Sequence, residues 1–217
     1  HRVSGADYGS VRVGTFMGYR MLCEMAGSDF KGYLANLAPS ELEQKYLDRL
    51  PETVRGIEFL DRFGETSDSA TRVDPERIYP VRRVAAHPVH EHFRVRSFLQ
   101  LLQSGGLSSA PLLGELMFQS HASYSACGLG SEGTDRLVEL ARSIGPSRGI
   151  FGAKITGGGS GGTVAFLGRG DPGPAIEEIA DSYASETGRS PHVFTGSTRG
   201  AVTSARHSSL RDPGSPS

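Results

Sequence analysis

Ala153-Lys154-Ile155-Thr156-Gly157-Gly158-Gly159-Ser160-Gly161-Gly162-Thr163-Val164-Ala165-Phe166-Leu167 sets a glycine-rich turn between two short apolar runs. Five of the six residues from Gly157 to Gly162 are glycine. That density opens positive φ to the backbone and lets it approach another backbone or a ligand with no Cβ in the way. The N–H groups of such a turn can line a concavity for an anion of the phosphate type. A flexible Gly/Ser linker is the plainer reading. Ile155 on one side and Val164, Phe166 and Leu167 on the other read instead as buried strands, so the stretch predicts a strand, a turn and a second strand.

Downstream, Pro174 opens a helix with Ile176, Ile179, Ala180 and Tyr183 on one face, ending at Gly188. His192-Val193-Phe194 reads as a further short strand. Upstream, Gly133 or Thr134 caps a helix that buries Leu137, Val138, Ala141 and Ile144 and stops at Gly145-Pro146. Strand, turn, strand, helix and strand predict an α+β fold in which helices cover one face of an antiparallel sheet.

Nearer the N-terminus, Val11, Val13, Phe16, Met17 and Met21 approximate a helix burying one face. Gly14 and Gly18 weaken that helix but permit close packing against a neighbour. Tyr8, just before it, reads as a core aromatic, with presentation of its phenol to a ligand as the alternative. Ser40-Glu41-Leu42-Glu43 has the form of a capping box, opening a helix that buries Leu42, Tyr46, Leu47 and Leu50. Pro51 suits the first turn of a further helix with Val54, Ile57 and Leu60, and residues 64–74 read as a polar, mobile loop. From Pro88 to Gln103 a helix carries Val89, Phe93, Leu99 and Leu102 near one face.

Across 217 residues, 23 Lys+Arg against 24 Asp+Glu give a net charge of -1, with no long block of one sign. Nothing in that balance asks for a nucleic-acid or membrane partner. No run has the length of a spanning helix and the N-terminus lacks a secretory core, so a cytoplasmic protein is expected. Cys23 and Cys127 fit no metal or redox spacing and read as buried thiols.

Three apparent motifs carry little chemistry. A helix cannot aim His87, His90 and His92 at one point, so no metal site is assigned to them. Gly106-Leu107-Ser108-Ser109-Ala110, followed by Pro111, reads as the entry to a helix through Leu113, Leu116, Met117 and Tyr124 rather than as a phosphate loop. Ser120, His121, Ser123 and Ser125 lie too close on one helix for a hydrolase triad, and a nucleophile elbow of the G-x-S-x-G type is absent where it would be needed, Gly159-Ser160-Gly161 coming near in letters only.

Several stretches together resemble one family. Gly152-Ala153-Lys154-Ile155-Thr156-Gly157-Gly158-Gly159-Ser160-Gly161-Gly162 is similar to the third signature motif of the GHMP small-molecule kinases, the group of galactokinase, homoserine kinase, mevalonate kinase and phosphomevalonate kinase. His1 with Gly5-Ala6-Asp7-Tyr8-Gly9-Ser10-Val11-Arg12 resembles the segment of galactokinase-like members in which a Tyr lies against the sugar. Tyr33 to Pro39, Arg83 to Pro88, Phe93-Arg94-Val95 and Ser123 to Ser131 are similar to the L-arabinokinase branch.

The resemblance implies the C-terminal half of a two-lobed kinase over residues 1–203, with 204–217 a disordered tail that replaces the family's last strand. It implies ATP and Mg as cofactors, a sugar 1-kinase activity on L-arabinose or a galactose-like sugar, Tyr8 against the sugar, and Gly157, Gly158, Gly159, Ser160, Gly161 and Gly162 in the ATP cleft near the transferred phosphate. The family's nucleotide loop and catalytic Asp are expected upstream of His1, in an N-terminal half that would be this chain's partner. This chain alone is therefore expected to be inactive. A non-catalytic sugar-sensing or interaction module on the same scaffold is the alternative.

Overall fold

The computed structural model describes residues 5–159 and 162–196. Expectations for His1, Ser160, Gly161 and the tail from residue 204 fall outside these residues. Helix α1 (Gly5–Ala26) is followed by single turns at Phe30–Gly32 and Leu34–Asn36, and by α2 (Pro39–Glu41). Strand β1 (Thr53–Arg55), helix α3 (Gly56–Phe63) and strand β2 (Ile78–Pro80) come next. Helices α4 (Arg82–Ser104), α5 (Ala110–Ala126) and α6 (Glu132–Ile144) lead to the hairpin of β3 (Ile150–Ile155) and β4 (Val164–Gly168), and α7 (Gly173–Thr187) closes the order. Each sheet has two antiparallel strands, β1 with β2 and β3 with β4. The fold is helix-rich with small antiparallel sheets.

Two large apolar clusters and a small third one of Val84, Cys127 and Leu129 hold it. The first joins Val13, Met17, Met21 and Leu22 of α1 to Leu42, Leu50, Phe59, Val81, Ala85 and Val89. Gly14 and Gly18 make this packing possible as expected. A Cβ on Gly14 would stand 1.9 Å from the Pro80 carbonyl oxygen, and one on Gly18 would stand 2.4 Å from Ala85 Cβ. The second cluster packs Phe118, Val138, Ala141, Ala175 and Ile179 around Ile150 and Ala153 of the hairpin. Helix α5 comes onto β3 through facing glycines, since a Cβ on Gly152 would lie 2.5 Å from Gly114 Cα.

The helices read around Leu137 and Ile176 form as expected. Helix α6 is capped by Ser131, however, with Thr134 as its reciprocal partner inside the helix. Three other local readings need correction. Ser40 caps nothing: α2 begins at Pro39 behind Ala38, then widens into a π turn over Leu42–Tyr46 that buries Leu42 and Tyr46. Val54 pairs with Tyr79 in β1 and β2, so the following helix starts only at Gly56. His192-Val193-Phe194 forms no strand. The four residues between Pro191 and Gly196, with φ +84 at that glycine, pair with no strand among the described residues, and Phe194 is left 82% exposed against the His192 ring.

Loop 64–74 is irregular but anchored, not loose. Its Asp68 is buried and accepts Arg12 Nε and Nη2, each at 2.7 Å, and bonds from Thr71 Oγ1 and the Ala70 N–H. Helix α4 starts six residues earlier than read. It buries Val89 but leaves Phe93, Leu99 and Leu102 each more than half exposed. Cys127 is buried and Cys23 only partly so.

Candidate active site

The hairpin register runs to Ile155 opposite Val164, and Thr156 N–H closes the turn on the Thr163 carbonyl at 3.0 Å. Beyond that pair the chain needs positive φ at Gly157 (+67), Gly159 (+82) and Gly162 (+74), a region that other residues enter only at a cost. The turn is also pressed onto the α5–α6 connection. A Cβ on Gly159 would stand 2.6 Å from Leu129 Cβ and 2.7 Å from the Leu129 carbonyl oxygen.

Tyr8 meets this turn. Its ring lies over Gly158, with Cε2 3.2 Å from where a Cβ would sit. At 44% exposure it is not the core aromatic that burial statistics favour. Helix α1 is held in place for this contact by the Arg12–Asp68 pair and by Thr15 Oγ1, which donates to the Val84 carbonyl at 3.2 Å. Two of the sequence-assigned groups, Tyr8 and the glycines at 157–159, thus form one surface.

Below the turn lies a set of side chains that the sequence did not reveal. Tyr124 Oη of α5 donates to the Gly157 carbonyl at 3.4 Å. Its ring is met edge-on by His87, with centroids 4.7 Å apart, and Lys154 Nζ stands 5.2 Å from its centroid. Lys154 also donates to Glu91 Oε1 at 3.3 Å. That carboxylate accepts Ser120 Oγ at 2.5 Å and Arg94 Nε at 2.7 Å. Burial works to raise the Glu91 carboxyl, but the bonds from Ser120 and Arg94 and the nearby positive charges outweigh it and hold it below its ordinary range.

His121, buried beside β3, accepts the Ile155 N–H on Nδ1 at 3.3 Å and places Nε2 3.1 Å from Asp135 Oδ1. With the backbone N–H on Nδ1, the ring proton belongs on Nε2, where Asp135 accepts it. Burial pushes the imidazole below its ordinary pKa although Asp135 pulls the other way. His87 is likewise lowered by burial and meets Ser123 Oγ at 2.7 Å.

These contacts account for the serine and histidine run on α5. Ser120 serves Glu91, Ser123 meets His87, and Ser125 donates to Asp135 at 2.7 Å. His90 pairs with Glu43 at 3.1 Å, away from His87. Burial raises the Cys127 thiol to about 11, which makes it unreactive. Among the described residues no group of three or more His, Cys, Asp or Glu is arranged to hold a metal ion. The glycine turn and the Lys154 ammonium are groups that suit a phosphate.

Residues 98–186 match the family described as GHMP kinases C terminal. The chain is 39% identical to the L-arabinokinase of Arabidopsis thaliana over 93% of its own length and 23% of that relative. It is 39% identical to the galactokinase of Pasteurella multocida over 59% of the chain and 32% of the relative. With the galactokinase of Thermotoga maritima the identity is 31%, over 73% and 45% of the two chains. The chain thus spans less than half the length of these relatives. Among solved structures, Lactococcus lactis galactokinase complexed with galactose superposes with a TM-score of 0.57 at 18% identity, over 88% of this chain and 39% of that one. Residues 98–186 are a GHMP kinase C-terminal domain, and the chain that contains them is homologous to L-arabinokinase and galactokinase.

Proposed function

We propose that this chain is the C-terminal half of an ATP- and Mg-dependent sugar 1-kinase, acting on the anomeric hydroxyl of L-arabinose or a galactose-like sugar. The observation that carries the reading is the contact of Tyr8 with Gly158. It brings the residue assigned to the sugar against the turn assigned to the transferred phosphate. In such a reaction the nucleotide supplies the phosphoryl group, and the protein acts chiefly by positioning and by stabilising charge. Tyr8, exposed at the rim, would contact the sugar. The turn from Gly157 to Gly162 would shape the cleft and brace a nucleotide loop carried by the rest of the kinase.

The reading is tested on a protein that carries this chain together with the expected N-terminal half, assayed with ATP, L-arabinose and galactose. Turnover of one of these sugars is expected. A Gly159→Val variant is expected to lose it while keeping its helical circular dichroism. Normal turnover in that variant would sink the assignment of the turn. The 217 residues alone are proposed to be inactive, because they lack the family's nucleotide loop and catalytic Asp. Sugar-dependent ADP release by this chain would overturn that part of the proposal.

A further inference from the structure

In the half-buried cluster beneath the turn two cations share a carboxylate. Among the described residues, the one carboxylate that bonds Lys154 or Arg94 is Glu91. Glu91 has its oxygens committed as well to Ser120 Oγ and Arg94 Nε. His87 and His121 beside it are disfavoured as cations by burial, and the nearby Asp135 carboxylate is taken up by His121 and Ser125. Donors are in surplus. Among the described residues Arg94 Nη2 is buried with no acceptor, and Lys154, whose ammonium has three protons to give and stands 5.2 Å from the Tyr124 ring centroid, makes a single hydrogen bond. That bond is long for a charged pair. The lysine side chain is 26% exposed.

Tyr124 stands beside it on the same terms. Its hydroxyl donates to the Gly157 carbonyl at 3.4 Å, beyond the usual range for an O–H donor, so that proton is easily turned to a better acceptor. An ammonium with one long hydrogen bond, a loosely held phenol and a glycine turn with positive φ thus converge at the end of β3. Tetrahedral oxyanions are bound by such sets of charged and neutral donors, with lysine acting as a point charge.

We propose that Lys154 and Tyr124 form an oxyanion seat at the foot of the glycine turn, and that its ligand is a phosphate group. The assignment to phosphate, rather than to another oxyanion, rests on the kinase reading above. On binding, Lys154 leaves or shares Glu91, and Arg94 and Ser120 keep the carboxylate satisfied. Two sources present the same chemistry, a nucleotide phosphate and the phosphate of a sugar 1-phosphate.

The test is calorimetric titration of the 217-residue chain with inorganic phosphate, ADP and L-arabinose 1-phosphate, each without metal. Saturable binding of at least one is expected. Lys154→Met is expected to weaken it about tenfold or more, Lys154→Arg to keep it within about threefold, and Tyr124→Phe to weaken it measurably, with melting temperatures recorded for each. Tighter ADP than sugar phosphate places the seat on the nucleotide side of the cleft, and the reverse order places it on the acceptor side. If Lys154→Met is unfolded, Tyr124→Phe decides, since its ring still packs against His87. No binding by the native chain, or equal binding by folded Lys154→Met and Tyr124→Phe, overturns the seat. Lys154-dependent binding in a longer protein that turns over no sugar would leave the seat and remove the kinase reading. Turnover with binding insensitive to Lys154 would do the opposite.

Discussion

Replacing His121 with Ala tests how the turn is tied to the helices behind it. The imidazole is 6% exposed and supplies the acceptor for the Ile155 N–H, at the last strand residue before Thr156. Removing it strands a buried backbone donor, which costs about 1–3 kcal/mol, and leaves a void that adds to the loss. Its other partner, Asp135, has a side chain 42% exposed and recovers water, so that bond contributes little. A total near 3 kcal/mol corresponds to a fall in melting temperature of about 6–12 °C for a chain of this size. Asp135→Asn should move it far less. The pH dependence follows from the same burial. A histidine whose folded pKa lies below the unfolded value near 6.5 binds fewer protons folded than unfolded, so its stabilisation is complete above about pH 6.5 and is lost as pH falls through the window beneath. The slope cannot exceed about 1.4 kcal/mol per pH unit for each such group. Asp135 opposes the shift, while Lys154 and Arg142 reinforce it, and His87 adds a decline of the same sign. Thermal melts from pH 8 to pH 5.5 should therefore show a steeper acid decline in the native chain than in His121→Ala. A variant melting within about 2 °C of the native chain, or an Ile155 amide no faster in hydrogen exchange, would refute the role given to His121.

Three further outcomes follow from packing and charge. Gly114→Ala would set a Cβ 1.8 Å from the Phe151 carbonyl oxygen. Backbone meets backbone there and no side chain can yield, so urea melts should show a loss of about 3 kcal/mol or more. Gly9→Ala in α1 meets nothing within 4 Å and should be neutral or stabilise by up to about 1 kcal/mol. Asp68→Asn breaks the two-bond pair with Arg12. Because the Arg12 side chain is 36% exposed, the expected cost is about 1–2 kcal/mol. The Arg12 guanidinium holds the Asp68 carboxyl well below its ordinary value, so this stabilisation is present above about pH 4 and is lost as the pH falls through the folded pKa. Acid unfolding of Asp68→Asn should lack that component.

Local periodicity made the glycine hairpin, α6 and α7 legible, because each is decided by neighbours in sequence. Ile155 and Val164 pair across the turn that separates them, and Val138 and Ala141 share one face of α6. The same logic misled at Ser40, where Leu42 and Tyr46 reach the core through a π turn that no capping pattern announces. It misled again at Phe93, Leu99 and Leu102, since an apolar stripe reports a preference for cover and not what supplies it. The cluster under the turn was least legible. Glu91 and Lys154 are 63 residues apart, and neither Ser120 nor Tyr124 differs in spacing from an ordinary helix residue. One signal was present, a lysine set in a strand otherwise apolar from Ile150 to Ile155. A charge at such a position has to be answered from elsewhere in the fold. Here the answer is a carboxylate that Arg94 already holds, so Lys154 is only half satisfied. The native arrangement keeps that deficit where a glycine turn and two tyrosines meet, and a phosphate at that place would remove it.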